Sequence, residues 1–445
     1  MIDKEVQKTI LRISLALMVV PSLVYVGLDI GLVSASSSSQ DSNYPGTISE
    51  SELEGATLIA SQSGSLSVAS KGGTIIARMS AHDAYFDVDR VKPLGSATVL
   101  YAAVDIIPRD ECGWRSKCVR NVVETYNLTT GETKLLYEQT IPDETAPQWH
   151  DADYIGDGKI VVADMSRDRV FIANTTTGII TWQWQAGQAF DPSSGGDNPQ
   201  DWTHLNDVEV LPGDRIMVSM RNQDQVIFIN KSEGVDDSWT LGEDRDPSAT
   251  NRTLYAQHNP DYITPENGGP AVLVADSEQD RIVEFQRTES GWTQTWEYGV
   301  NLGWPRDADR LPNGHTLITD SHNKRVIEIN ERNEIVWQAN APLPYDAERI
   351  GTGQESSGGE SAVRLGLSSA TESSADDSLL GRIKALGRQI FPDNIVNAIS
   401  FVNSKYPISF TGMAAAAVSI PLLCLWMLLE FRWSDYTIVP PIKQK

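Results

Sequence analysis

The sequence predicts an all-β fold, a six-bladed β-propeller ectodomain between two transmembrane helices. Two observations lead to this expectation. A unit of about 50 residues, with apolar strands separated by polar turns, recurs over residues 56–350, and a long apolar segment lies on each side of that region. The chain has 445 residues, enough for a large core, and its 12 tryptophans and 13 tyrosines supply apolar surface to bury.

The repeat becomes visible when short segments are aligned. They read FDVDRV (86–91), HDADYI (150–155), HLNDVE (204–209), HNPDYI (258–263) and RDADRL (306–311). Apolar strands follow each segment, and a strand that carries tryptophan closes most units. Residues 55–79 resemble the later strands of a unit without its first strand, so we expect them to complete a sixth blade with residues 340–350. A solenoid is the alternative, but it needs capping repeats, and the sequence shows none.

The flanking segments predict a chain anchored in a membrane. We expect a transmembrane helix over residues 13–35, unless this is a signal anchor or a cleaved signal peptide, and a second one over 407–429. Basic residues outside both spans place the amino-terminal residues 1–12 and the tail 430–445 in the cytoplasm and the propeller on the extracytoplasmic side. Residues 36–55, rich in serine, and 351–376, rich in Gly, Ser and Glu, are predicted linkers. Residues 377–406 are predicted as amphipathic juxtamembrane helices, or as helices packed on the propeller.

The charge of the chain limits its partners. Sixty acidic and 36 basic side chains give a formal net charge of −24, which excludes nucleic acid because phosphates are repelled. An acidic surface spread over many loops also suggests a protein that works in high salt, where carboxylates are screened. The expected partners are small molecules, and membrane lipid through the two transmembrane helices.

Two further features are compatible with export. Cys112 and Cys118 stand close together and predict a disulfide that closes a small hairpin loop, with a pair of free thiols as the alternative. Four Asn-x-Ser/Thr sequons predict glycosylation sites, at Asn127, Asn174, Asn230 and Asn251.

The fourth position of the aligned segments is an aspartate in every copy, namely Asp89, Asp153, Asp207, Asp261 and Asp309. A residue common to all blades indicates a structural role, in which the carboxylate accepts hydrogen bonds from backbone N–H groups where each blade begins. Bound calcium is the alternative, with ligands from separate blades.

The first position varies, and it reads Phe86, His150, His204, His258 and Arg306. The first strand of each propeller blade lines the central channel, so these side chains are expected around a common axis. Three of the six histidines of the chain fall in this column. Convergent imidazoles can bind a metal or perform nucleophilic and proton-transfer chemistry. For any single histidine, packing is the alternative.

A second column contains a charge in one blade only. Where other blades have Met165, Ser277 and Ser321, the third blade has Arg221. A permanent cation beside neutral imidazoles discourages metal binding and favours an oxyanion, so we expect neither a metal nor a cofactor. Arg306 either adds a second positive charge beside the histidines or pairs with a neighbouring aspartate.

The order HLND, then SMR, then QHN resembles the arylsulfotransferases that are independent of phosphoadenosine phosphosulfate. The resemblance covers residues 56–350 and implies sulfuryl transfer from an aryl sulfate donor to a phenolic acceptor through a sulfated histidine. It implies that His258 is the nucleophile, that His204 and Arg221 hold the sulfuryl oxygens, and that His150 is the remaining histidine of the site.

An aryl donor needs an apolar wall, and Trp149, Trp202 and Trp304 lie next to the histidine column in the sequence. We expect no additional amino-terminal β-domain of the kind that the family's soluble members have, and expect the chain to be anchored in the membrane instead. The acceptor is therefore expected to be a phenol or another hydroxyl, such as one of a surface glycan or lipid. Two other functions are compatible with the pattern, namely a non-catalytic binding propeller and a metal-dependent propeller hydrolase or lactonase.

Overall fold

The computed structural model describes residues 46–113, 117–142, 148–242, 252–352 and 358–371, the helix 410–433, and five single residues, Lys8, Leu11, Arg12, Leu15 and Val19. The chain forms two compact units, Tyr44–Ser378 and the combination of Met1–Asn43 with Leu379–Lys445. The first unit contains all the strands.

The strands form six sheets around an axis. The chain begins with β1 (Thr57–Ser61), β2 (Ser65–Ala69) and β3 (Ile75–Met79). The first two complete blades consist of β4 (Ala84–Arg90), β5 (Thr98–Ile107), β6 (Cys118–Asn127) and β7 (Thr133–Pro142), then β8 (Trp149–Gly156), β9 (Lys159–Asp164), β10 (Arg169–Asn174) and β11 (Ile180–Gln185). The third blade consists of β12 (Leu205–Val210), β13 (Arg215–Met220), β14 (Gln225–Asn230) and β15 (Gly234–Val235).

The fourth blade consists of β16 (His258–Ile263), β17 (Ala271–Asp276), β18 (Arg281–Thr288) and β19 (Gly291–Gly299). The fifth consists of β20 (Pro305–Arg310), β21 (Thr316–Asp320), β22 (Arg325–Ile329) and β23 (Ile335–Asn340), and two strands follow it, β24 (Pro344–Arg349) and β25 (Ala370–Thr371). Four α-helices are described, α1 (Glu50–Leu53), α2 (Arg109–Cys112), α3 (Ala362–Leu365) and α4 (Phe410–Trp433).

The ring closes as predicted. β24 pairs with β1 in the sheet of order β24, β1, β2, β3, so the two ends of the propeller segment share the sixth blade. Residues 345–350, YDAERI, are a sixth copy of the aligned segment that sequence comparison missed, because glutamate replaces the aspartate of the fourth position. Closure completes the sixth blade, and the inner edge of each sheet is then short and protected at the axis, which is how propellers avoid aggregation through exposed strands.

The blades are joined by buried apolar layers. One layer lies between the first two blades and contains Leu100, Trp149, Ile160 and Phe171, all fully shielded from solvent. Burial of an aromatic or aliphatic side chain of this size stabilises the fold by about 1.5–3 kcal/mol. The alternation of apolar residues along each strand therefore produces a continuous core between neighbouring sheets.

A second kind of contact joins the inner strands. Carboxylates of one blade accept a backbone N–H from the next, as in Val88 to Asp346 (2.7 Å), Ala152 to Asp87 (3.3 Å), Val208 to Asp151 (2.5 Å), Tyr262 to Glu209 (3.2 Å) and Ala347 to Asp307 (3.3 Å). The structural role predicted for acidic residues of these strands is present. At the fourth position Asp261 accepts the backbone N–H of Arg310, whereas four of the five bonds above use the aspartate at the second position. The second and fourth residues of a strand point to the same side, and the second is used more often.

The linker predictions are corrected where the chain is described. In the segment 36–55, Ile48 and Leu53 pack into the core of the propeller, and the Tyr126 hydroxyl donates to the carbonyl of Gly46 at 2.6 Å. In the segment 351–376, β25 pairs with β19, and the backbone N–H of Ala362 donates to Glu284 Oε1 at 2.7 Å. A few apolar residues inside a polar composition are enough to dock these segments.

Cys112 and Cys118 form the predicted disulfide, with their Cα atoms 5.7 Å apart. It joins the end of α2 to the start of β6, at the tip of the hairpin formed by β5 and β6. The alternative of two free thiols is therefore excluded.

The helix α4 covers most of the predicted second transmembrane segment, 407–429. Within the described part of the chain, however, no helix is both long and apolar enough to cross a membrane. Apart from Leu15 and Val19, the predicted first span, 13–35, lies outside the described residues, as does the predicted juxtamembrane region 377–406. Membrane anchoring therefore stays a prediction.

Three of the four sequon asparagines lie at the ends of third strands. The Oδ1 atoms of Asn127, Asn174 and Asn230 accept a backbone N–H from the residue two positions later, at 2.9, 3.0 and 3.1 Å. Asn330 makes the same turn in the fifth blade without a sequon. Turn chemistry thus accounts for the pattern by itself. Asn251 lies outside the described residues, and glycosylation stays a prediction.

Candidate active site

The first residues of the inner strands meet at one end of the propeller axis. The Phe86 and His150 rings stack with their centres 4.4 Å apart, and His150 lies 5.2 Å from His204. The ring of Tyr345 lies 5.5 Å from His150 and 5.9 Å from His258. The structure therefore brings together the three histidines that the sequence predicts to converge.

β-Bulges aim these side chains at the axis. In the second blade Trp149 pairs with Asp164 and Asp151 pairs with Ala163, which leaves His150 as the extra residue. The same irregularity occurs at four other inner strands and leaves Phe86, Asn206, Arg306 and Tyr345. An extra residue bends the strand and turns its side chain out of the regular alternation, as bulges near active sites commonly do.

His204 reaches the site from a different register than predicted. Its blade contributes Asn206 to the bulged column, and His204 stands two residues earlier, with φ of 45°. Ala256, Trp304 and Leu343 occupy the same place before their inner strands, with φ of 48°, 54° and 41°. Left-handed backbone is unfavourable for residues other than glycine, and such strain is often found at functional sites. The sequence alignment placed Asp207 at the fourth position of the repeat, which put His204 at the first position. Strand pairing instead puts Asn206 there, so His204 lies two residues before the expected place.

His258 is fully buried and contacted at both ring nitrogens. Its Nδ1 lies 2.8 Å from Ser277 Oγ, and that hydroxyl donates to the Pro305 carbonyl at 2.6 Å. On the other side, Nε2 contacts Nη1 of Arg306. The guanidinium carbon of Arg306 lies 3.6 Å from the centre of the Trp304 ring and 5.1 Å from that of Tyr345. The carboxylate whose charge acts on Arg306 among the described residues is that of Glu278, and not that of a neighbouring aspartate as the alternative had it.

Arg221 begins a short 3₁₀ segment directly after β13. Its Nη1 donates to Asn222 Oδ1 at 2.7 Å, and its Nη2 lies 3.9 Å from Glu278 Oε1, which also accepts from the Trp304 indole at 3.1 Å. The Nε atoms of Arg221 and Arg306 are buried and have no hydrogen-bond partner among the described residues. The site thus holds two cations whose donor groups are only partly used.

The imidazoles are held in their neutral form. Burial lowers the pKa of His150 and of His258 well below its usual value, and the charges of Arg306 and Arg221 lower it further. Burial and then the charge of Arg221 also lower the pKa of His204, although a hydrogen bond from Nδ1 to Asp201 Oδ1, at 2.7 Å, opposes this. Burial lowers the pKa of Arg306 to about 10, so it remains charged at neutral pH.

Of the three tryptophans predicted to form an apolar wall for the aryl donor, two point away from the site. Trp149 packs against Tyr137 and Phe171 in the layer between blades, because neighbouring residues of a strand face opposite sides. Trp202 belongs to the next such layer and donates to the Ser194 carbonyl. Trp304 does lie at the site, beneath Arg306.

Sequence reasoning missed Tyr345 and Asn206, and it placed Phe86 at the axis without giving it a role. Phe86 and Tyr345 supply aromatic rings beside His150, and Asn206 has a buried side-chain oxygen with no hydrogen-bond partner among the described residues. The sixth copy, YDAERI, would have revealed Tyr345. Over the same described residues, no group of three His, Cys, Asp or Glu side chains is arranged to hold a metal ion.

The fold and the site define a class: a six-bladed propeller whose axis carries neutral imidazoles and guanidinium groups at one end, an arrangement suited to an oxyanion. Residues 150–304 match the family model described as "Arylsulfotransferase (ASST)". This segment contains all three histidines of the site and Arg221. The resemblance to arylsulfotransferases that the sequence indicates is thereby confirmed over these residues.

Other comparisons add only distant similarities. No curated protein matches the chain. A protein of unknown function from Bacteroides caccae is 12% identical over 67% of this chain and 99% of its own, with a TM-score of 0.47. The periplasmic gluconolactonase PpgL from Pseudomonas aeruginosa is 11% identical over 67% of this chain and 99% of its own, with a TM-score of 0.44. These values are too low to support a conclusion about function.

Proposed function

We propose that the protein transfers a sulfuryl group from an aryl sulfate ester to a phenolic or other hydroxyl acceptor, through a covalent intermediate on His258. The observation that carries this proposal is the contact of a buried, neutral His258 with Arg306, a cation whose buried Nε has no hydrogen-bond partner among the described residues. A nucleophile beside a guanidinium whose donor groups are only partly used suits a substrate that is electrophilic and anionic at once.

In the first half-reaction, a lone pair of His258 forms a bond to sulfur while the bond from sulfur to the phenolic oxygen breaks. The electron pair of that bond leaves with the phenolate, whose conjugate acid has a pKa of about 10, like that of tyrosine. Arg221 and Arg306 balance the charge on the sulfuryl oxygens as the bonds change. Preorganised donors of this kind act mainly by stabilising the transition state.

In the second half-reaction, the acceptor hydroxyl attacks sulfur and the imidazole of His258 recovers its electron pair. The hydroxyl proton needs a base, and His204 is the group that fits. Its Nδ1 lies 2.7 Å from Asp201, so the carboxylate orients the ring and leaves Nε2 free to accept a proton. Asp201 then stabilises the imidazolium that forms. His150, hydrogen-bonded to Tyr345 at 3.1 Å, holds the neighbouring wall of the site.

The disulfide supports a location in an oxidising compartment, outside the cytoplasm. There the acceptors within reach of the propeller are small phenols and the hydroxyl groups of surface glycans or lipids.

The proposal is tested with the full-length protein and a chromogenic aryl sulfate in high salt. We expect phenol release that accelerates when a second phenol is added, with the sulfated second phenol as product. A chelator should leave this rate unchanged. Inorganic sulfate as the product, or loss of activity with a chelator, would indicate a hydrolase. The absence of release from several donors would favour a binding propeller.

Replacement of Arg221 by methionine is expected to lower kcat/KM for the donor by about 10²–10³-fold, because one of the two guanidinium groups that stabilise the transition state is lost. Arg221→Lys should recover only part of the rate, because an ammonium cannot make the same paired contacts. Arg215→Met is the matched control. Arg215 stands at the other end of β13, where it pairs with Asp236 away from the histidines. Equal losses in both variants would contradict the role of Arg221.

A further inference from the structure

The hydroxyl of Ser277 connects the candidate nucleophile to the neighbouring blade. Ser277 and His258 are both completely buried. Ser277 Oγ lies 2.8 Å from His258 Nδ1, 2.6 Å from the Pro305 carbonyl and 3.5 Å from the Ala275 carbonyl. Both carbonyl groups can only accept a hydrogen bond, whereas the hydroxyl has a single hydrogen to donate.

These partners decide which way the hydrogen bond to histidine runs. The serine hydrogen is committed to a carbonyl oxygen, of which Pro305 is the closer. Ser277 Oγ can therefore only accept from His258, so Nδ1 must carry the proton of the neutral ring. The second contact of the ring agrees with this assignment. Arg306 Nη1 has no lone pair to offer, so Nε2 accepts from it.

We propose that Ser277 is a positioning residue that holds His258 in the Nδ1-protonated tautomer, so that Nε2 is the atom that takes up the sulfuryl group. The tautomer is a property of the free protein, whereas the uptake on Nε2 rests on the proposed function. When no aryl sulfate is bound, Arg306 Nη1 donates a hydrogen bond to the lone pair of His258 Nε2. An anionic donor draws Arg306 to its oxygens and exposes that lone pair to sulfur.

The direction of the hydrogen bond from His258 Nδ1 to Ser277 also affects the step after Nε2 has attacked sulfur. The new bond between Nε2 and sulfur leaves the ring positively charged, with its proton still on Nδ1. The Nδ1–H group donates to Ser277 Oγ before and after attack. No proton therefore has to move from one ring nitrogen to the other while the sulfuryl group is transferred. When the acceptor attacks and the bond from Nε2 to sulfur breaks, the electron pair returns to Nε2 and the same tautomer is restored.

The fifth blade provides a matched control. Ser321 follows β21 as Ser277 follows β17, and its hydroxyl donates to the Pro344 carbonyl of the next blade at 2.5 Å. The described contacts of Ser321 include no histidine nitrogen. Ser321→Ala thus removes the same hydrogen bond between blades as Ser277→Ala, without the contact to the nucleophile.

The tautomer is measured directly by nitrogen NMR on the full-length protein labelled with ¹⁵N-histidine. The chain has only six histidines, and His258→Gln identifies the signals of His258. We expect a proton on Nδ1 and none on Nε2 in the wild type and in Ser321→Ala. In Ser277→Ala we expect a larger fraction of the Nε2-protonated tautomer, limited by Arg306, which still donates to Nε2. A proton on Nε2 in the wild type would overturn the proposal even if Ser277→Ala did not fold.

Transfer kinetics then test the consequence for the reaction. With an aryl sulfate donor, Ser277→Ala is expected to form the sulfated intermediate about tenfold more slowly than the wild type, while Ser321→Ala keeps the wild-type rate. Peptide analysis after acid-free quenching should place the sulfuryl group on Nε2. Sulfation on Nδ1, or equal rates in Ser277→Ala and wild type, would overturn the role of Ser277. If the tautomers behave as expected but the wild type forms no sulfated histidine, the proposed function fails and the tautomer assignment stands.

Discussion

Replacement of His258 by alanine is expected to abolish sulfation of the acceptor, lowering the rate by more than about 10³-fold. The variant keeps Arg221, Arg306 and His204, so the donor can still bind, but the imidazole assigned to the covalent intermediate is missing. The measurement is the rate at which sulfated acceptor accumulates from an aryl sulfate at saturating donor.

His315→Ala is the control for this loss. His315 lies outside the column, with its Nδ1 2.7 Å from Glu328 and its side chain partly exposed. It should transfer at the wild-type rate. Transfer by His258→Ala within tenfold of the wild type would show that another residue, or direct displacement, carries the reaction.

The largest expected effect on stability comes from Arg310→Met. Arg310 Nη2 lies 3.1 Å from Glu284 Oε2, and both side chains are completely buried. Removal of one partner leaves the other charge without compensation, which costs about 3–5 kcal/mol in buried pairs. Glu284 also accepts the backbone N–H of Ala362, so the segment that carries α3 and β25 should loosen first. The free energy of unfolding and hydrogen exchange of residues 361–371 measure the two effects.

The double variant Arg310→Met, Glu284→Gln tests whether an unpaired charge causes the loss. It should recover part of the stability, because the carboxylate of Glu284 no longer remains buried without its partner. The recovery is partial because Asp261, which is buried nearby, also loses the charge of Arg310. If the single variant is as stable as the wild type, or the double variant is less stable than the single one, the pair does not act as an ion pair.

Much of the fold follows from one periodic pattern. Strands with alternating apolar residues, separated by turns at a regular interval, are sufficient to predict blades, and the partial units at the two ends predict how the ring closes. The structure confirms both expectations in the pairing of β24 with β1. It also confirms the disulfide, which follows from two cysteines six residues apart in a segment predicted to be exported.

The site residues that occupy the same position of every repeat could be predicted from the sequence. The residues that depart from this position could not. The convergence of His150 and His258 follows from their place in the column. His204 joins them from two residues earlier, and only pairing between strands reveals this. Tyr345 was missed because its segment has Glu348, and not an aspartate, at the fourth position, so the segment was not recognised as a copy of the repeat. Trp149 was misassigned because proximity in the sequence does not determine the side of the strand.

In the proposed mechanism, His258 carries the sulfuryl group between donor and acceptor. To test this, the full-length protein is mixed with an aryl sulfate in the absence of acceptor, the reaction is quenched within the first turnover, and the mass of the peptide that contains His258 is measured. We expect one added sulfuryl group on His258, formed in step with the first equivalent of phenol and lost when a phenolic acceptor is added before the quench. Phenol released without any modification of His258, or a sulfuryl group on a different residue, would contradict this mechanism.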